Sequence, residues 1–444
     1  MSIVGDERQA SQVDFTPESA DALRLMEDTR AHVCITGRAG TGKSTLLRYF
    51  RDTTKKNLVV LAPTGIAAVH VGGQTIHAFF RLPPRFIERT DIRAVAQVRA
   101  IVERLDAVVI DEVSMVRADL IDGIDWALRL AKGRRDLPFG GVQMIFFGDL
   151  CQLPPVVDEE MRLLFEQRYA SPYFFSADVF ATDVPVAYRE LTRIFRQTDR
   201  VFVALLDRIR DHQVSQSDLD ELNARVIADD EFLDEDVVTL TATNRGAAQI
   251  NRWRLRQLEE PAFEYAASAT GAFEPDAAPA DYTLVLKRGA QVMLLRNDPE
   301  KRWVNGSIGR VEALSPDSIT VSVGTGAHDI PRERWEKIRY TSDPDTGKIA
   351  REVIGTFEQY PIKLAWAMTI HKSQGQTLSK VIIDMERGAF AHGQLYVALS
   401  RCTALSGIRL KVPVTPEDVI FDPRVLAFRQ SRMDQLQSRA PSMT

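Results

Sequence analysis

The stretch Gly37-Arg38-Ala39-Gly40-Thr41-Gly42-Lys43-Ser44 constrains this chain more than any other. It fits the pattern G-x-x-x-x-G-K-[ST], and its setting fits too. The apolar run Val33-Cys34-Ile35-Thr36 precedes it, and Ser44-Thr45-Leu46-Leu47 opens a helical pattern after it. Strand, glycine-rich loop and helix in that order make a phosphate cradle. The glycines let backbone N–H groups turn inward, and the helix N-terminus adds positive potential. Residues Gly37 to Thr45 are therefore the expected nucleotide site, with Lys43 reaching the β- and γ-phosphates of ATP and Ser44 holding Mg2+.

Such a loop needs a parallel sheet behind it, and the sequence supplies one. Short apolar runs recur at Leu58 to Ala62, Ala107 to Ile110, Val142 to Phe147, Val237 to Ala242 and Val381 to Ile383. Runs rich in Val and Ile that alternate with helical stretches read as parallel strands buried on both faces, hence an α/β fold. Thr16-Pro17-Glu18 reads as a helix start, with Thr16 as the cap. Two segments break the alternation. Residues 81–104 carry Pro83-Pro84 and then a charged helical stretch, which reads as a small insertion. Residues 285–360 hold strand-like runs separated by turn residues, which reads as a small antiparallel barrel. Residues 1–14 read as a loose arm and 430–444 as a frayed polar tail.

A P-loop needs a second acid for its metal. Val108-Val109-Ile110-Asp111-Glu112 places Asp111 at a strand end as the second Mg2+ ligand, and Glu112 beside it to deprotonate the attacking water. A third run ends in Phe147-Gly148-Asp149-Leu150-Cys151-Gln152, and an amide at Gln152 can bond phosphate and water together. Hydrolysis also asks for a further cation on the transferred phosphoryl group. Arg196 and Arg401 lie downstream as candidates, although residue chemistry alone does not select them from the other arginines.

Composition narrows the partners. With 56 Lys+Arg against 61 Asp+Glu, the net charge of -5 argues against coating nucleic acid by bulk charge. It leaves room for one local, salt-sensitive track. An apolar fraction of 45% excludes wholesale disorder. No apolar run reaches the ~18 residues of a membrane span, so no membrane partner is expected. The N-terminus has no apolar signal core. The three cysteines, Cys34, Cys151 and Cys402, are widely spaced and form neither a disulfide framework nor a metal pattern. A cytoplasmic protein is expected, nucleoid-associated if its source is bacterial.

Eight segments appear in order over residues 31–401: GRAGTGKS, APTGIAA, GQTIHAFF, VVIDEVSM, FFGDLCQLPP, LTRIFRQ, AWAMTIHKSQGQTL and YVALSR. The set resembles the Pif-type (petite integration frequency) DNA helicases, the RecD-like branch of helicase superfamily 1. The resemblance implies two RecA-like P-loop NTPase domains with parallel sheets, with ATP and Mg2+ between them. The first domain spans 15–193 with a wedge-like insertion at 81–104. The second spans 194–300 and 361–429, with an SH3-like β-barrel at 301–360 inserted in it. It implies Lys43, Glu112, Gln152, Arg196 and Arg401 as catalytic, the two arginines as fingers from the second domain, and Gln374 and Gly375 as further nucleotide contacts. Single-stranded DNA would touch Thr64, Gly65, His77, Phe79, Asn244, Thr369, His371, Lys372 and Ser373. The expected enzyme is an ATP-dependent helicase that moves 5′-to-3′ on single-stranded DNA and unwinds forked or structured duplexes, with a monomeric core. The family's adenine-reading Gln is replaced here by Ala20, which leaves strict ATP preference open. An RNA helicase of the same superfamily, a DNA-remodelling ATPase that does not unwind, and a small-molecule P-loop kinase are the competing readings. The segments IHKSQG and YVALSR count against the kinase.

Overall fold

The computed structural model describes residues 15–439 apart from 94, 183, 198, 228–236, 274–277, 325, 343–348 and 387. The expected arm 1–14 and positions 440–444 of the expected tail lie outside the described residues.

The first half is a parallel sheet wrapped by helices. Its strands are β1 (His32–Gly37), β2 (Leu58–Ala62), β3 (Gln74–Thr75), β4 (Ala107–Ile110), β5 (Gln143–Phe147) and β6 (Val186–Leu191), in the order β3-β2-β4-β5-β1-β6. Its helices are α1 (Pro17–Asp28), α2 (Lys43–Thr53), α3 (Gly65–His70), α4 (Ile76–Phe80), α5 (Ala96–Val102), α6 (Ala118–Lys132) and α7 (Glu159–Arg168). Successive side chains on a strand point to opposite faces, and here both faces are apolar. Val33, Ile35, Val60, Val109, Ile145 and Phe147 pack with Met26 of α1 and Leu47 and Phe50 of α2. Cys34, Val59, Leu61, Val108, Ile110 and Phe146 pack on the other side with α4, α5 and α6. The Thr16 hydroxyl accepts from Ser19 N and Pro17 fills the first turn of α1, as the capping pattern predicts.

The expected insertion, residues 81–104, lies against this core. Leu82, Phe86, Ile87, Ile92, Val98, Ile101 and Val102 are buried in it, and Ile87 N donates to Asp119 Oδ2 at 2.9 Å.

The second half opens with α8 (Arg200–Arg210), α9 (Gln216–Asn223), β7 (Val238–Thr241) and α10 (Asn244–Gln257). An antiparallel excursion follows: β8 (Phe263–Ala266), β9 (Ser268–Gly271), β10 (Thr283–Leu286), β11 (Gln291–Leu294), β12 (Ile308–Ser315), β13 (Ser318–Val323), β14 (Gly326–Asp329), β15 (Glu333–Ser342), β16 (Ile349–Gln359) and β17 (Ile362–Leu364). The chain then returns through β18 (Ala367–Thr369), β19 (Val381–Asp384), α11 (Gln394–Ser400), β20 (Ile408–Leu410) and α12 (Pro423–Arg439). The returning strands join β7 in a second parallel sheet, β18-β7-β19-β20. Antiparallel strands thus reach beyond both the 285–360 span read from the sequence and the 301–360 span implied by the resemblance, at both ends. The reason is pairing: β11 is bonded to β12 on one edge and β17 on the other, so the five-stranded sheet β14-β13-β12-β11-β17 needs chain from before 301 and after 360. Leu284, Val292, Leu294, Val311, Ile319, Val321 and Ile362 fill its core with Tyr265, Trp303 and Tyr360.

Two parts of the second half reach back to the first. The hairpin β15–β16 buries Ile338 and Tyr340 in the first-half core. Strand β3 is so short that it pairs β2 only at Leu61 and Ala62, and Tyr340 Oη accepts from the next amide, Val60 N, at 3.0 Å. Helix α12 lays Phe428 on Phe175 with ring centroids 4.3 Å apart, buries Val425 in the same core, and sends Arg424 NH1 to Ala170 O at 3.1 Å. This helix continues to Arg439, so the stretch from 430, expected as a frayed tail, is helical over 430–439.

Candidate active site

Strand β1 ends at Gly37, and the loop from there to α2 bends through Gly40 and Gly42 at φ +81° and +84°. Gly40 has a second constraint, since a Cβ there would stand 2.5 Å from the Cβ of Arg196. Lys43 Nζ donates to Gly37 O at 2.6 Å and Arg38 O at 2.9 Å, and burial lowers its pKa. Ser44 and Thr45 are exposed in the first turn of α2. At the end of β4, Glu112 takes a left-handed backbone, φ 50°, which a non-glycine residue adopts only when its surroundings enforce it. Burial and the neighbouring Glu112 push the Asp111 carboxyl up to about 7, and burial raises Glu112 while Lys43 opposes the rise. Two carboxyls held above their usual range beside one ammonium suit a further hard cation, and oxygen donors with the Ser44 hydroxyl suit Mg2+. The glycine cradle suits a phosphate.

The opposite wall comes from the link between β6 and α8 and from the second half. Phe195 N donates to Gly40 O at 2.9 Å, which sets the next residue, Arg196, against the loop. Arg196 NH1 reaches Ser400 O at 3.3 Å and NH2 reaches Gly375 O at 3.4 Å. Arg401, at the end of α11, is fully buried. Its Nε donates to Val397 O at 3.0 Å and its NH2 to Ser400 Oγ at 2.8 Å. Burial, reinforced by Arg196, pushes Arg401 down to about 9. Among the described residues neither arginine has a carboxylate within salt-bridge distance. Gln152 Nε2 donates to Asp149 Oδ2 at 3.3 Å, and Gln374 Nε2 donates to Gln152 Oε1 at 3.4 Å across the cleft. The structure thus brings the P-loop, Gln152, Arg196, Gln374, Gly375 and Arg401 to one cleft.

Sequence reasoning passed over several residues here. Gln197 Nε2 bonds Ser400 O at 3.0 Å and Cys402 O at 3.1 Å, and Asp207 of α8 pairs at 2.8 Å with Arg38, itself one of the expected nucleotide-site residues. Tyr396, Asp149 and Arg210 form a buried group behind the P-loop. The signal for Tyr396 was its place on the same short helix as Arg401; Arg210, in an ordinary amphipathic helix, gave none.

The expected DNA residues divide into two groups. Thr64 and Gly65 open α3 beyond β2, Asn244 opens α10 beyond β7, and Lys372 follows β18; Thr64, Asn244 and Lys372 are exposed. Thr64 Oγ1 caps α3 by accepting from Ala67 N. His77 is half-buried with Nδ1 3.3 Å from Leu82 O, and burial lowers its pKa, as it does for His371. Phe79 does not reach a surface: it is buried between Phe80 and Tyr340. Thr369 and Ser373 are also buried. They shape the turn after β18, Thr369 Oγ1 accepting from Lys372 N at 3.2 Å and Ser373 Oγ donating to Ile370 O at 2.7 Å. Lys363 of β17 was not foreseen. Burial and the charge of Lys372 push it down to about 8. Ala20 is exposed on α1.

Two parallel sheets, a P-loop on one and an arginine presented by the other define a two-domain P-loop nucleoside triphosphatase of the helicase kind. Comparisons with known proteins specify it further. The model of the PIF1-like helicase family matches residues 20–217. An ATP-dependent DNA helicase Pif1 from Bdellovibrio bacteriovorus is 33% identical over 436 residues, covering 94% of this chain and 92% of its own. The human ATP-dependent DNA helicase PIF1 is 35% identical over 433 residues, and the match spans 94% of this chain but 64% of the human one. The unliganded Pif1 of a Bacteroides species superposes with a TM-score of 0.88 at 37% identity, covering 95% of this chain and 97% of that one. A Bacteroides Pif1 bound to single-stranded DNA gives 0.68 at 36% identity over 95% and 98%. The chain belongs to the PIF1-like helicase family of ATP-dependent DNA helicases.

Proposed function

We propose that this chain couples ATP hydrolysis to 5′-to-3′ movement on single-stranded DNA and unwinds forked or structured duplexes as a monomeric core. The observation that supports this best is the cleft itself. Arg401 comes from the half opposite the P-loop, and Arg196, in the link between β6 and α8, lies against the loop and reaches Ser400 O of that half, so the site is complete only when both halves meet. In this reading Lys43 and the loop amides hold the phosphates, and Ser44 and Asp111 hold Mg2+, which would draw charge off the phosphate oxygens. Glu112 takes a proton from the attacking water, Gln152 orients it, and the two arginines stabilise the charge that develops. Thr64 on one half and Asn244 and Lys372 on the other would grip the strand in alternation, with Lys363 beside them. The insertion at 81–104 would meet the fork.

The hairpin contact fits a DNA-free arrangement, since the match to the unliganded relative is far better than to the DNA-bound one. Binding DNA would then release Tyr340 from the first domain. The deciding experiment compares unwinding of 5′-tailed and 3′-tailed duplexes. Unwinding of the 5′-tailed substrate alone is expected, and unwinding only from the 3′ tail would overturn the polarity.

A further inference from the structure

Tyr396 sits on α11, five positions before Arg401, with its ring in the core of the second domain. Its hydroxyl leaves that core and enters the first domain. It accepts from Ala39 N of the P-loop at 3.3 Å and stands 3.4 Å from Asp149 Oδ2. Asp149 is fully buried. It also accepts from Cys151 N at 3.2 Å and from Gln152 Nε2 at 3.3 Å, and it pairs with Arg210 of α8 at 3.4 Å. Arg210 is buried in turn and reaches Glu190 Oε1 at 3.1 Å. Burial works against the Asp149 charge, but Arg210 and Lys43 outweigh it and hold the carboxyl below its usual range. Asp149 is thus a fixed anion, and the Tyr396 proton has one acceptor to point at. Gln152 is contacted from two sides: through Asp149 by Tyr396, and directly by Gln374.

We infer that Tyr396 is a positioning residue, whose hydroxyl ties the P-loop backbone and Gln152 to the helix that carries Arg401. Movement of that helix then moves the amide at Ala39 and the acceptor of Gln152 together. Packing alone does not need the hydroxyl, since a phenylalanine ring would fill the same core. The contacts are long, as catalytic hydrogen bonds often are before substrate closes a site. This inference rests on the reading of the chain as a DNA-stimulated ATPase.

The test is Tyr396→Phe, with Tyr396→Leu as the packing control, measured as kcat and KM for ATP with and without single-stranded DNA, alongside Tm. A lost hydrogen bond of ordinary strength corresponds to about fivefold in rate. Tyr396→Phe should lower Tm by no more than a few degrees, the cost of leaving the Ala39 N–H without its acceptor, and keep KM within about twofold, while the ratio of DNA-stimulated to basal kcat falls about fivefold. Tyr396→Leu should lower Tm further. Wild-type stimulation in Tyr396→Phe overturns the inference, and so does an equal fall in basal and stimulated kcat, which would confine the hydroxyl to the P-loop. A wild-type enzyme that DNA fails to stimulate refutes the translocase reading itself, a separate and distinguishable result.

Discussion

Removing one oxygen from Tyr340 should loosen the hairpin that joins the two halves. Its hydroxyl accepts from Val60 N at 3.0 Å, a buried amide that the two-residue strand β3 is too short to pair. Tyr340→Phe keeps the ring against Phe79 but leaves that N–H with no acceptor while the hairpin is docked. Once the hairpin swings away, the amide meets water and the cost vanishes. A buried donor without a partner costs about 1–2 kcal/mol, so the docking equilibrium should move roughly five- to thirtyfold toward release. Hydrogen exchange reads this directly, because the Val60 amide should exchange faster by that factor in Tyr340→Phe. If release accompanies DNA binding, affinity for single-stranded DNA in an anisotropy titration should tighten by up to the same factor. The gain saturates once the docked form is no longer the majority. Unchanged Val60 exchange would refute the bonding argument, and weaker DNA binding would refute the link between release and the DNA-bound arrangement.

Other outcomes follow from the site and the core. Glu112→Gln should lower DNA-stimulated ATP turnover by about a hundredfold or more while leaving single-strand binding near wild type, and turnover within tenfold of wild type would remove Glu112 from the base role. Lys363→Ala should weaken single-strand binding and reduce the slope of log affinity against log salt by about 0.7; an unchanged slope would take Lys363 off the phosphate track. His32 Nδ1 accepts from Met144 N at 3.0 Å, and burial pushes its pKa from 6.5 down to about 4. A depressed histidine gives stability that is present above the unfolded pKa and lost as pH falls toward the folded one. Roughly 2 kcal/mol should therefore be gone by pH 5, and His32→Gln should flatten the fall in Tm between pH 7 and 5.

How much of this was legible in the sequence depended on how local each signal was. The P-loop, Asp111 and Glu112 could be read because strand, loop and acid are neighbours in the chain and their chemistry needs that order. The antiparallel region was harder. Strands such as Phe263–Ala266 and Thr283–Leu286 are four residues each and pair with one another across an interval that carries no hairpin signal. Arg196 and Arg401 were selected by family resemblance, since nothing in a single arginine reveals which loop it will face. Phe79 shows the converse. It lies in a motif associated with DNA, yet its ring is core in this arrangement, because a segment more than two hundred residues later supplies Tyr340 to cover it. Contacts of that range leave no periodicity behind.

The halves are joined at two separated places: the polypeptide crosses after β6, and α12, at the far end of the second half, returns to the first with Phe428 stacked on Phe175. A body attached at one point can swivel in any direction, whereas attachment at two leaves the line through them as the easy axis. Once the hairpin β15–β16 is released, the paired attachments would act like the two pins of a door, admitting one swing and resisting shear and twist. Cutting the chain before α12, or prying Phe428 loose, would not only cost packing. It would turn a guided swing into a wobble, so that each ATP cycle would deliver its displacement in scattered directions, and stepping along DNA should suffer more than hydrolysis does.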